Sequence, residues 1–179
     1  MMKKLLTAFA SCAALAGAQT AAAHGHIDPY ITPAAPWVIE GTTTVSKGIT
    51  LDCDFKLTLT GPEDNPDTGG PGVSHTDVHH LTANLELTGG GGLCSLVTVD
   101  PIPAPNVEYS GSSNTGTFTL RNVYAHTITL GDCTGDINVA WNNGNVTFNQ
   151  TLPAATAGSP CTLAGAGILT SPAGGQVKP

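Results

Sequence analysis

The sequence predicts an all-β protein, a single two-sheet antiparallel β-sandwich of immunoglobulin-like type held by two disulfides. Three observations lead there. No stretch after the first two dozen residues places apolar side chains at i, i+3, i+4 and i+7 over three turns, whereas period-two alternation recurs throughout. Turn-forming clusters of glycine, proline and asparagine punctuate the chain roughly every ten residues, a spacing suited to eight to ten short strands. Four cysteines, Cys53, Cys94, Cys133 and Cys161, follow the leader without any C-x-x-C spacing.

In chain order, Met1-Met2-Lys3-Lys4 is a basic n-region. Leu5 to Leu15 is an apolar stretch too short to cross a bilayer, and small residues continue to Ala23. This is the pattern of a secretory signal over residues 1–23, with residues 24–179 as one exported domain. Ala21-Ala22-Ala23 would release His24, and Ala16-Gly17-Ala18 would release Gln19. No second hydrophobic stretch long enough for a transmembrane segment follows.

The clearest strand is Ile49 to Thr60. Ile49, Leu51, Cys53, Phe55, Leu57 and Leu59 share one face and polar residues the other. Gly61 to Gly72 is rich in glycine and proline and reads as a surface loop. Leu81, Ala83, Leu85 and Leu87 repeat the alternation. Gly89 to Gly92 cannot be a strand interior, and Pro101-Ile-Pro-Ala-Pro105 reads as a stiff connector.

Gly116 to Leu130 supplies Phe118 and Leu120, then Tyr124, His126, Ile128 and Leu130, which assigns His126 to a core or rim position. Ile137, Val139 and Trp141 face inward, as do Val146, Phe148, Gln150 and Leu152. Asn142-Asn-Gly-Asn145 between them is a hairpin turn, since Asn and Gly tolerate positive φ. The tail after Ser171 is expected to fray.

An even number of cysteines in an exported chain reads as two disulfides. Three pairings are open; adjacency in sequence favours Cys53 with Cys94 and Cys133 with Cys161.

Six Lys and Arg stand against thirteen Asp and Glu, a formal net charge of −7. That balance provides no cationic stripe and excludes nucleic acid and anionic lipid as partners. Charged residues make up 11% of the chain, against about 25% in a typical soluble protein. Such a weakly charged, threonine-rich exterior suits a hydrophobic substrate or a cell-surface component, and strand edges with few lysines permit self-association.

Thr44-Val-Ser-Lys-Gly-Ile-Thr-Leu-Asp-Cys53, Gly91-Gly-Leu-Cys94, Leu130-Gly-Asp-Cys-Thr-Gly135 and Pro160-Cys-Thr-Leu163 with Thr170-Ser-Pro172 resemble the secreted alkane-oxidation activator proteins of the PraA/PraB family. The likeness covers most of residues 40 to 172. It implies an exported, non-enzymatic accessory protein for growth on alkanes, helping cells meet or disperse water-insoluble hydrocarbon, with no catalytic residues to carry over. The chain departs from that pattern in its histidine-rich start and in the insertion Glu63 to His80.

Those two departures hold the candidate metal ligands. If cleavage precedes His24, the new terminus reads His-Gly-His. His26 in third place could complete a square plane of four nitrogens for Cu(II), or His24 could form a brace with a distant histidine. In Val73-Ser-His-Thr-Asp-Val-His-His80, an extended backbone would bring His75, Asp77 and His79 to one face, about 6.6 Å apart in Cα spacing, within reach of a shared Cu or Zn. Solvent-exposed histidines beside a glycine loop are the simpler reading and the preferred one.

Glu63-Asp-Asn-Pro-Asp67 concentrates oxygen ligands but lacks the alternating register of a calcium loop. There is no G-x-S-x-G, no paired catalytic carboxylates and no phosphate loop. The expectation is therefore a non-enzyme without an obligatory cofactor, acting extracellularly or in the periplasm. A secreted copper- or zinc-binding protein and a structural subunit of matrix or appendage are the alternatives.

Overall fold

The computed structural model describes residues 30–33, 36–61, 81–128 and 130–178. The leader, His24, His26, the loop 62–80 with Glu63 to Asp67, and His75, Asp77 and His79 lie outside the described residues.

Among the described residues, eleven strands make up almost all regular structure: β1 (Tyr30–Thr32), β2 (Trp37–Lys47), β3 (Ile49–Thr60), β4 (Thr82–Thr88), β5 (Val97–Val99), β6 (Val107–Gly111), β7 (Thr115–Thr127), β8 (Cys133–Asn142), β9 (Asn145–Leu152), β10 (Cys161–Ser171) and β11 (Gln176–Lys178). The chain is all-β with two disulfides, Cys53–Cys94 and Cys133–Cys161.

The expected two-sheet sandwich is replaced by a near-closed barrel. One antiparallel ladder runs β4-β3-β2-β10-β9-β8-β7-β5, with β6 also on β7. β5 pairs with Ala125–Thr127 and β6 with Gly116–Leu120, so the two together fill one interrupted strand position and the ring has eight positions. The ends of the ladder meet at a single pair. Ala83 and Ile102 exchange backbone hydrogen bonds of 2.9 and 2.8 Å. The next position that could extend the seam on the β5 side, Asp100, donates its N–H to the Tyr124 carbonyl of β7 at 3.0 Å instead, and Ala83–Ile102 stays an isolated bridge.

A ring of this size has an interior just wide enough to be filled by side chains or to hold one small ligand. Alternation shows which face of each strand is apolar. It does not show whether those faces oppose one another across two sheets or converge on one axis. Here they converge, and Phe55, Leu57, Leu85, Phe118, Val139 and Val146 belong to one core.

Two local features shape the barrel wall. On the inward face of β10, Gly165 and Gly167 lie beside the rings of Phe148 and Phe55, which meet edge to face at 5.3 Å. A Cβ at Gly165 would sit 2.6 Å from the Phe148 ring, and one at Gly167 would sit 2.7 Å from Phe55. Glycine here makes room for an aromatic neighbour. Gly165→Val is expected to destabilise the protein by about 1–3 kcal/mol through overpacking, read as a lower urea midpoint at unchanged slope; an unaltered midpoint would refute this account of the glycine.

The second feature is a bulge. Arg121 and Asn122 together oppose Asp136, Asn122 adopts φ +53°, and its N–H donates to the Asp136 carboxylate at 2.9 Å. The extra residue reverses the parity of the rest of β7. Val123 and Ala125 turn inward, and Tyr124 and His126 turn outward. His126 is thus not a core residue: its ring is 44% exposed and lies 3.2 Å from Asp100 and 3.5 Å from Asp132.

The Asn142–Asn145 hairpin forms with Asn143 and Gly144 at positive φ, and Trp141 is buried with its strand partners. The tail does not fray as expected. Gln176–Lys178 pairs with Tyr30–Thr32, and Ile31 and Val177 are fully buried.

The two ends of the barrel differ. At the end where β2 and β7 begin, Trp37 and Trp141 stack at 5.4 Å, Phe118 meets Trp141 at 6.1 Å and Tyr109 meets Phe118 at 4.7 Å. The β1–β11 ribbon closes over this floor, where the Trp37 indole N–H donates to the Pro33 carbonyl and Gly175 lies against the same ring. Burial pushes the Tyr109 phenol above its ordinary pKa.

Candidate functional site

The opposite end is open. There the β2–β3 turn, the end of β4, β5, the end of β7 and the starts of β8 and β10 surround an apolar cavity of about 130 Å³. Its wall is Val45, Leu51, Leu85, Leu87, Val97, Val99, Val123 and Leu152, with Ile137 and Leu163 reaching deeper, to the space below. Below it, between Phe55, Phe148 and their neighbours, lies a void of about 10 Å³. That is at the lower limit for one water molecule, so the middle of the barrel is filled and the cavity has a floor.

Three loops raise the rim. Gly48, at φ +78°, turns the chain from Lys47 to Ile49 in one residue and leaves Ile49 on the lip. Gly89, Gly90 and Gly92 all take positive φ and lead through two short 3-10 turns, from which Leu93 and Leu96 project. Between β7 and β8, Thr127 Oγ1 donates to the Gly131 carbonyl at 2.6 Å, holding a tight loop that carries Ile128 and Leu130.

The described residues include six exposed large hydrophobic side chains, and five of them, Ile49, Leu93, Leu96, Ile128 and Leu130, stand on this rim. Ile128 is 72% exposed. Scattered single apolar residues on a surface are ordinary, but a cluster around a cavity marks a binding site.

Both disulfides brace this end. Cys53–Cys94 ties β3 to the turn bearing Leu93 and Leu96, and Cys133–Cys161 ties the starts of β8 and β10. Lys47 completes the wall. Its side chain follows the inward parity of β2, it is 6% exposed, and Nζ donates to the Asp132 carbonyl and to Cys133 Sγ, each at 3.1 Å.

Just outside the rim, Tyr124 Oη donates to the Asp132 carboxylate at 3.2 Å. Partial desolvation, that hydrogen bond and the charges of Asp132 and Asp100 raise the Tyr124 pKa, leaving a neutral hydrogen-bond donor at neutral pH. Tyr124, His126, Asp100 and Asp132 form a polar patch. Among the described residues no group of three or more His, Cys, Asp or Glu side chains is placed to hold a metal ion.

Sequence reasoning looked for chemistry in the histidines and missed the cavity, whose walls come from distant segments. The available signal was leucine and isoleucine in glycine-flanked turns, at Leu93, Leu96, Ile128 and Leu130, where a turn has no core to bury them in.

A sequence profile of the family described as alkane oxidation protein activator PraA/PraB-like matches residues 1–177. No curated protein and no solved structure matches the chain. Among the described residues no helix is long and apolar enough to cross a membrane.

Proposed function

The chain belongs to the PraA/PraB-like alkane oxidation protein activator family, and from that membership we propose that it is a secreted, non-enzymatic accessory protein whose barrel mouth captures the end of a hydrocarbon chain at the cell surface or the hydrocarbon–water boundary. The observation that carries this reading is the concentration of exposed Ile and Leu side chains on the rim of an apolar cavity.

Size defines the mode of capture. A cavity of about 130 Å³ is close to the ~150 Å³ apolar cavity that takes a benzene ring, so it admits a chain end of about six carbons. Burial contributes about 0.8 kcal/mol per methylene, or roughly 5 kcal/mol for six, before the cost of immobilisation. The remainder of a long alkane stays outside, against Ile49, Leu93, Leu96, Ile128 and Leu130. Two disulfides suit action in an oxidising compartment.

Replacing both Leu93 and Leu96 by Asp is expected to weaken binding of a solvatochromic apolar dye by about tenfold or more, because lost rim contacts and two charges at the mouth both oppose an alkyl ligand. Stability should change by less than about 0.5 kcal/mol, since both side chains are exposed. Dye binding that is unaltered would sink the assignment of the mouth. In cells, a deletion strain should grow more poorly on long-chain alkane than on a soluble carbon source, with the native protein restoring growth and the double variant failing to. Equal growth on both carbon sources would count against the accessory role.

A further inference from the structure

We propose that the cavity is selective for an alkyl chain ending in a carboxylate, the oxidised form of an alkane, with Lys47 as the anchor for its head group. This rests on the reading of the cavity as a site for a chain end and adds to it a ligand class and a residue.

Lys47 is the one charged side chain that is buried among the described residues. Lysine is almost never fully buried unless paired, because removing an ammonium from water is costly. No carboxylate of the described residues lies within ion-pair distance of its Nζ; the nearest polar groups are the Asp132 carbonyl and Cys133 Sγ. The carboxylate of Asp132 itself is engaged elsewhere, accepting from Tyr124 Oη at 3.2 Å and from the Thr127 N–H at 3.4 Å. An ammonium has three donors. Two are used here, and one of those meets sulfur, a weak acceptor. A donor and a full positive charge are therefore left on the wall of a cavity whose other lining, Thr127 and Thr162 apart, is apolar.

The placement sets the orientation of the ligand. Lys47 ends β2 at the mouth, beside the Cys133–Cys161 bridge, whereas the Phe55 and Phe148 layer forms the floor. A chain entering tail first would bring its last atoms to Nζ only if they stop at the mouth. A terminal carboxylate supplies both the missing counter-charge and acceptors for the free N–H, and it keeps access to water at the rim. A hydrocarbon supplies neither, and a cationic head group would be repelled. A strap that only ties the β2–β3 turn to the Asp132 loop would show no preference among head groups.

The test is displacement of a bound apolar dye from the native, disulfide-bonded protein by octanoate, methyl octanoate and octyltrimethylammonium, a chain length that seats about six tail carbons in the cavity and leaves the head group at the mouth. Octanoate should displace it at about tenfold lower concentration than either of the others, the margin expected of one charge-assisted hydrogen bond. Lys47→Met should erase that margin, so that the acid and its methyl ester displace the dye at the same concentration, and Lys47→Arg should retain the preference for the acid. Equal displacement by octanoate and its methyl ester from the native protein would overturn the proposal and leave the hydrocarbon site standing. That comparison needs no variant. Failure of the dye to bind the native protein at all would remove both.

Discussion

Removing the Cys133–Cys161 bridge by paired substitution to alanine is expected to lower the unfolding free energy by about 3 to 4 kcal/mol, the chain-entropy value for a loop of roughly thirty residues. The two cysteines are 28 residues apart in sequence and join the first residues of β8 and β10. β9 lies between those strands in the sheet. The bridge thus ties the mouth across an intervening strand, where backbone hydrogen bonding alone links only neighbours. Its loss also deprives Lys47 Nζ of one of its two partners. Urea unfolding of the oxidised native protein and of the Cys133→Ala, Cys161→Ala variant measures the effect, and dye affinity should fall with it. A difference below about 1 kcal/mol would mean that the barrel end is held by its ladders alone.

Trp141→Ala is expected to cost about 3–5 kcal/mol, the range for truncating a large buried aromatic side chain. Trp141 is 2% exposed and touches both Trp37 and Phe118, so the cavity left behind cannot be filled by one neighbour without breaking another contact. Because this floor lies at the end away from the mouth, the fraction of protein still folded should bind an apolar dye with native affinity. Calorimetric unfolding together with dye titration well below the transition separates the two effects. A loss of affinity in fully folded variant would contradict the separation of floor and mouth.

The face of most strands was legible from alternation, because each strand buries one side only. β3, β4, β8 and β9 place inward the side chains that their period-two pattern assigns inward, with Ile49 reaching the lip. β7 broke that rule at Arg121 and Asn122. Nothing in the local pattern announces a bulge there, since its stabilising partner, Asp136, belongs to the next strand. Closure was equally hidden: the β2–β10 ladder joins residues more than a hundred positions apart, such as Ser46 and Thr162. Short-range pattern carries no information on that pairing.

The cavity follows from the closure and shared its obscurity. Lys47 is the exception in hindsight, for it continues the inward parity of Trp37, Ile39, Thr43 and Val45. A lysine at the end of an apolar stripe is a residue whose charge needs a reason. The histidines at positions 24, 26, 75 and 79, which drew attention as ligands, lie outside the described residues.

The asymmetry between floor and mouth gives the molecule a direction. β1 and β11 both lie at the floor, on the Trp37 side, and the Asn142–Asn145 turn is at that end as well. A linker attached before β1 or after β11, or inserted at that turn, therefore leaves the barrel on the side opposite the cavity. Protein coupled to a bead or a sensor chip through any of these points would present its mouth outward, toward the oil or the solution. Coupling through Lys47 would be self-defeating, but the exposed Lys56 on the flank of β3 offers a chemically equivalent amine that lays the barrel on its side. The two attachments differ in whether the rim can meet a flat hydrocarbon surface, so a comparison of their oil-droplet retention tests whether the mouth is the face that engages hydrocarbon.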